Sequence, residues 1–193
     1  DKGRSVICRS NIRQLSLANI AYAQANDDCY VLAAADIDTQ DNLRRWHGER
    51  DDMEEPFDPL RSPLAGYIGE GEVKECPQKV NFRRGDEWDA NFEDGGGGYG
   101  YNMIYLGSRI WIEGFSACDE PTRQTEVRNA ATTLMFADTA MAKINDAGQS
   151  YHLEYSFVEP PHFVNNGAPQ PAWGYSSPSI HFRHDGRANI AWA

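Results

Sequence analysis

Cys8-Arg9-Ser10-Asn11-Ile12-Arg13-Gln14-Leu15-Ser16-Leu17-Ala18-Asn19-Ile20-Ala21-Tyr22 carries its apolar residues at Cys8, Ile12, Leu15, Ala18 and Tyr22. Steps of four, three, three and four residues keep them on one helical face. The spacing predicts a helix over Ser5–Asn26, with Arg9, Arg13 and Asn19 elsewhere on its surface and Asn26-Asp27-Asp28 as the stop. Leu17 and Ile20 lie off the main stripe, so the helix is buried on two sides or meets a partner helix.

Beyond the helix the patterning changes. Asp36, Asp38 and Asp41 stand where a helix N-cap is expected, and a short helix is predicted over Asn42–His47. Pro56, Pro59 and Pro63 then break regular structure, with a helical turn expected over Leu64–Ile68. The glycine run Gly95–Gly98 is not a phosphate loop, because no Gly-Lys-Ser/Thr follows it. Tyr99–Leu106, Arg109–Glu113 and Thr132–Ala137 read as strands. Tyr151, Leu153, Tyr155 and Phe157 alternate with polar residues, the period-2 signature of a half-buried strand. Residues 165 to 179 read as a loop. Ile180, Phe182 and His184 are predicted to share a strand face, with Asp185-Gly186 as the turn of a closing hairpin that returns through Ile190 and Trp192. The expectation is a single α+β domain over residues 1–193. It divides into a helical part (1–28), a loop-rich excursion (29–98) and an antiparallel sheet (99–193).

A formal net charge of −11 argues against nucleic acid as a partner, since phosphate binding needs Lys and Arg. No stretch reaches the ~18 apolar residues of a membrane helix, and the opening Asp1-Lys2-Gly3-Arg4 is no signal peptide. The chain is then either cytosolic or a segment from which a targeting sequence has been removed. Four cysteines without a C-x-x-C pair argue against a zinc ribbon. Two disulfides and four buried thiols both stay open on spacing alone.

Five stretches together carry a resemblance. They are Cys8–Leu15 continuing through Ala21-Tyr22-Ala23 to Asn26-Asp27; Cys76-Pro77; Tyr99-Gly100-Tyr101-Asn102 with Leu106-Gly107; Thr132–Asp138; and His184–Ala193. In order and spacing the chain resembles the pilin-like proteins that have a prepilin cleavage and methylation segment, in the group marked near its C-terminus by His, nine residues, then Asp-Gly. His184 is followed by nine residues, Asp185 to Ala193, and the Asp-Gly that would come next is absent. The expectation is a truncation or an unrecorded tail. Residues 31 to 75 match loosely.

The resemblance implies a pilin-like fold, with the helix packed on the antiparallel sheet between long loops. It implies a non-enzymatic pseudopilin of a type II secretion (general secretion pathway) or type IV pilus-like system, a structural protein of protein transport. The chain would be a soluble head domain, with residues 1–28 the second half of the pilin helix. Its partners would be other pilin-like subunits, met through that helix, and the inner membrane, reached through a missing anchor. It would reside in the cell envelope, at the periplasmic face of the inner membrane or in an extracellular filament. The motif cysteines imply Cys8 paired with Cys76, leaving Cys29 with Cys118. A monomer or weak dimer is expected of the detached head.

No catalytic group or cofactor is expected. His184 reads as a structural core histidine, held with Asp185 and Gly186 by the hairpin, and not as a metal ligand with His181, because residues three apart on a strand face opposite ways. Asp36, Asp38 and Asp41 are the calcium candidates, with Asp86, Asp89, Glu93 and Asp94 as a second acidic group. Neither has the spacing of a calcium loop, and the plainer reading is capping and solvated loops. The alternative to a pseudopilin is an extracytoplasmic carbohydrate-binding or hydrolytic domain using loop aromatics such as Trp46, Trp111 and Trp173. Core and loop packing is the plainer reading of those tryptophans.

Overall fold

The computed structural model describes residues 2–37, 39, 41–69, 71–78, 82, 93–165, 168–170 and 178–193. The chain is mixed α+β, an N-terminal helix with antiparallel sheets. Helix α1 spans Lys2–Ala25 and buries Cys8, Ile12, Leu15, Ala18 and Ala23 along one face. Three polar residues are buried with them, and each has a partner. Asn11 Nδ2 donates to the Tyr99 hydroxyl (3.0 Å), Ser16 Oγ to the Ile12 carbonyl (3.1 Å), and Asn19 Oδ1 accepts from the Val31 amide (3.0 Å). The helix ends where Asp27 and Asp28 take positive φ, and the Asp28 amide returns to the Ala23 carbonyl (3.0 Å). This is the left-handed cap that closes many helices.

Two-residue strands β1 (Arg44–Arg45) and β2 (Gly48–Glu49) form a tight hairpin around Trp46-His47. The helix expected over Asn42–His47 is therefore absent. Trp46, fully buried, is held against Phe136 and Tyr101 and donates Nε1 to the Ser156 carbonyl (2.8 Å). A single 3-10 turn at Ala65–Tyr67 occupies the predicted helical turn.

The central sheet has three strands in the order β3 (Tyr99–Tyr101), β4 (Leu134–Asp138), β9 (Ile190–Trp192), all antiparallel. Tyr99 lies opposite Asp138 and Tyr101 opposite Phe136, and a bulge lies between Leu134 and Phe136 where β4 meets β9. β3 stops at Tyr101, and the chain turns through Met103–Leu106. Ile110–Glu113 is a single turn of helix (α2), not a strand. β5 (Met141–Ile144) pairs with β6 (Ser150–Leu153), and β7 (Phe163–Asn165) pairs with β8 (Ala168–Gln170), which lies inside the loop expected over residues 165 to 179. The half-buried strand predicted through Phe157 ends at Leu153. Residues 153–158 are buried on both faces and run beside β3, where the Tyr101 amide donates to the Ser156 carbonyl and the Val158 amide to the Tyr101 carbonyl.

The predicted closing hairpin is also corrected. The Asp185-Gly186 turn forms, with both residues at positive φ and His184 and Arg187 exchanging backbone hydrogen bonds. Its arms do not pair with each other: Ile180 bridges Thr139, and β9 pairs with β4. His184 is buried, whereas Phe182 and Trp192 are about half or more exposed, so the three do not share a face.

Gly100 sits where β3 passes closest to this inner segment. A Cβ there would lie 2.5 Å from Thr139 Cγ2 and 2.6 Å from the Phe157 carbonyl carbon. One of those atoms is backbone and cannot swing away. Gly100→Ala is expected to destabilise the domain by at least about 1–3 kcal/mol. Urea unfolding of the variant showing an unchanged midpoint would contradict this packing.

Candidate functional site

The site begins with a helix residue facing inward. Cys8 on α1 is joined by a disulfide to Cys76, with Cα atoms 5.2 Å apart and a sequence separation of 68. In the chain-entropy picture, closing a loop that long stabilises by about 4 kcal/mol. Cys29 and Cys118 form no disulfide with each other, so the second expected pairing is corrected. Cys29 lies past the end of α1, bridged to Arg123, and its sulfur contacts the Asp27 carbonyl, while Cys118 is buried in the core.

Three more side chains converge on the Cys8–Cys76 bond. His184 Nε2 lies 3.8 Å from Cys76 Sγ and 3.2 Å from Asp138 Oδ2. Arg183 donates Nε to Cys76 Sγ (3.4 Å), NH1 to the Thr139 carbonyl (3.0 Å), and NH2 to Asp138 Oδ1 (2.9 Å) and to the Gly98 carbonyl. Asp138, at the end of β4 and inaccessible to solvent, also accepts from the Asn189 amide (2.6 Å). Burial pulls the Arg183 guanidinium below the usual arginine range, and the Asp138 carboxylate opposes that shift. The glycine run closes the site from the other side. Gly97 has φ +69 and brings its backbone to the Lys74-Glu75 segment, where the Cys76 amide donates to the Gly97 carbonyl (2.9 Å).

Next to this cluster, His181 packs its ring 4.6 Å from that of His152. Burial, and then the positive charge of Arg183, lower its pKa from 6.5 to about 4.

A second buried charge group lies on the excursion. Arg45 reaches Asp36 (3.0 Å) and Glu93 (2.9 Å) with all three side chains nearly inaccessible. Asp36 Oδ2 also accepts from the Leu43 and Arg44 amides (2.6 and 3.0 Å), so both oxygens of this calcium candidate are engaged inside the protein. Asp41 accepts from the Thr39 hydroxyl, and Asp38 lies outside the described residues. In the second acidic group, burial raises the Glu93 pKa while Arg45 and the Ser156 hydroxyl pull it back. Asp94 caps the Gly95 amide, and Asp86 and Asp89 lie outside the described residues. Trp46 is core, Trp173 is outside the described residues, and Trp111 stands with Tyr105 on the wall of a cavity of about 530 Å³, facing Pro160 and Pro161.

The resemblance implied the Cys8–Cys76 pair, which the structure contains, while His184 was read apart from it as a structural residue. Arg183 was missed, and Asp138 was noted only as the last residue of the Thr132–Asp138 stretch. A charged residue closing a fully apolar strand is the one signal that pointed to it. Comparison with family models, curated proteins and solved structures finds no match to this chain.

His184→Ala removes a buried ring that lies 3.2 Å from the buried Asp138 carboxylate and 3.8 Å from Cys76 Sγ. It is expected to cost about 1–3 kcal/mol by thermal unfolding. An unchanged melting temperature would speak against the contact with Asp138. His181 generates a pH dependence as well. Its proton is disfavoured in the folded state, so the unfolded chain binds it first. Stability is full above the ordinary histidine value near 6.5 and falls as pH drops toward about 4. His181→Gln should flatten that part of the stability profile, and equal slopes in the two proteins would refute the assignment.

Proposed function

We propose that this chain is the head of a pilin-like subunit, a pseudopilin of a type II secretion or type IV pilus-like assembly, and that it does mechanical work with no chemistry of its own. One observation carries this reading. The five dispersed stretches of the resemblance meet in a single construction whose purpose is to fix α1 to the sheet. Cys8 binds the segment at Cys76, Asn11 binds Tyr99, Asp138 at the end of β4 ties Cys76's neighbours Arg183 and His184, and β9 lies against β4. A helix fastened this firmly on one face suits transmission of load along it. The other face leaves Val6, Ile7 and Leu17 more than half exposed, as contacts for the helices of other subunits. Among the described residues no helix is long and apolar enough to cross a membrane. On this reading the inner-membrane anchor is an apolar segment upstream, and the head faces the periplasm or an extracellular filament.

The cavity walled by Tyr105 and Trp111 favours a second reading, an extracytoplasmic carbohydrate-binding domain, because exposed aromatic faces beside polar groups such as Glu126 and Arg128 suit sugar rings.

The two readings separate in one experiment. The complete reading frame, co-expressed with a prepilin peptidase, is expected to be cleaved at a leader junction. Cysteines placed at Val6 or Leu17 should then cross-link neighbouring subunits in cells. A frame encoding no processed leader, together with calorimetric binding of an oligosaccharide that Trp111→Ala abolishes, would replace the assembly reading with the second one. The 193-residue chain by itself is expected to be a monomer or weak dimer by light scattering, and a stable large oligomer would count against a detached head.

A further inference from the structure

The groups around the Cys8–Cys76 bond do more than pack. One donor atom from each of Cys8, Cys76 and His184 lies within 4.8 Å of the other two, and all three residues are buried. Asp138 Oδ2 is 3.2 Å from His184 Nε2. Two thiolate sulfurs and one imidazole nitrogen are donors that zinc takes in tetrahedral geometry, with a fourth position left over. With metal–nitrogen bonds of about 2.0–2.1 Å and metal–sulfur bonds of about 2.3 Å, a tetrahedron has a nitrogen–sulfur edge of ~3.6 Å. The observed His184–Cys76 separation is 3.8 Å.

We propose that when Cys8 and Cys76 are thiols, they form with His184 Nε2 a buried three-residue site for one thiophilic divalent cation, zinc by its chemistry, with the Asp138 carboxylate beside it, so that cation and disulfide are alternative occupants of the same place. Charge bookkeeping supports it. Counting His184 as neutral, the disulfide form holds one negative charge on Asp138 and one positive charge on Arg183. Two thiolates add two negative charges and the cation adds two positive ones, so the buried cluster sums to zero in both states, as a site shut off from water must approach. Arg183, donating to Cys76 Sγ, favours that sulfur as thiolate. The step balances. A dithiol or phosphine reductant supplies two electrons, the disulfide takes two protons and becomes two thiols, and the cation displaces both protons as it binds both sulfurs. The metal-bound sulfurs are then protected from re-oxidation. This inference does not rest on the assembly reading.

The test uses the 193-residue chain, cobalt(II) as the spectroscopic probe and zinc as competitor. The phosphine-reduced chain is expected to take one cobalt per molecule with a thiolate-to-metal charge-transfer band, to lose that band to zinc, and to lose it in Cys8→Ser and Cys76→Ser. The oxidised chain should show no band. His184→Ala and the gentler His184→Gln should each weaken zinc at least about tenfold. If reduction alone loosens the fold, zinc should restore its near-ultraviolet circular dichroism. A reduced chain with no charge-transfer band, an oxidised chain that binds equally well, His184 variants with unchanged affinity, or a loosened chain that zinc does not restore would each overturn the proposal.

Discussion

The carboxylate of Asp138 lies where no water reaches it, so everything near it is arranged to supply donors. Arg183 and the Asn189 amide provide them, with the His184 ring 3.2 Å away, all from a segment more than forty residues further along the chain. An unpaired charge in that position would cost more than most single contacts in the protein contribute. The segment before β9 therefore cannot drift from β4 without stranding the carboxylate. Through Arg183 and His184 the same anchor reaches Cys76, and through the disulfide it reaches α1. The helix, the excursion and the last strand are thus referred to one oxygen pair at the end of the central strand.

The Arg45 cluster follows the same logic on the opposite side of Trp46. Asp36, Glu93 and the Asn42 side chain surround a guanidinium that is almost entirely buried, and the hairpin β1–β2 exists to present it. A buried ion group of this kind adds little stability over an apolar replacement. Removing one partner would leave a buried charge uncompensated, so Asp36, Arg45 and Glu93 are held to one another. The 3-10 turns and the proline breaks of the excursion can vary around that fixed point.

The helix was legible because spacing over many residues averages out local accidents, and the apolar run before Asp138 announced β4 in the same way. The hairpin at Arg44–Glu49 was not legible, since strands of two residues have no period to read. Asp36, Asp38 and Asp41 looked like a capping or cation group because sequence shows which oxygens are near one another, not that Arg45 comes to meet Asp36. At Asp185-Gly186 the turn chemistry was read correctly and the conclusion drawn from it was wrong: turn residues fix a local reversal, while β9 pairs with β4, on the side away from β3. Of the candidate site, the Cys8–Cys76 pair was implied by the resemblance, and His184 was visible only as a separate letter. Their convergence depends on contacts between residues 68 and 108 positions apart, which no local pattern encodes.

Those separations bear on how the molecule comes into being. Asn11 meets Tyr99 across 88 residues and Trp46 meets Ser156 across 110. The middle strand of the sheet waits for β9, close to the end of the chain. Little of the interior can be assembled from neighbours alone, and loop closure must come before the rewarding contacts. A growing chain of this kind has a helix to nucleate early but no partner to hold it. The helix then finds its partners through contacts of long range, and the pairing of β9 with β4 is among the contacts that loop closure must precede.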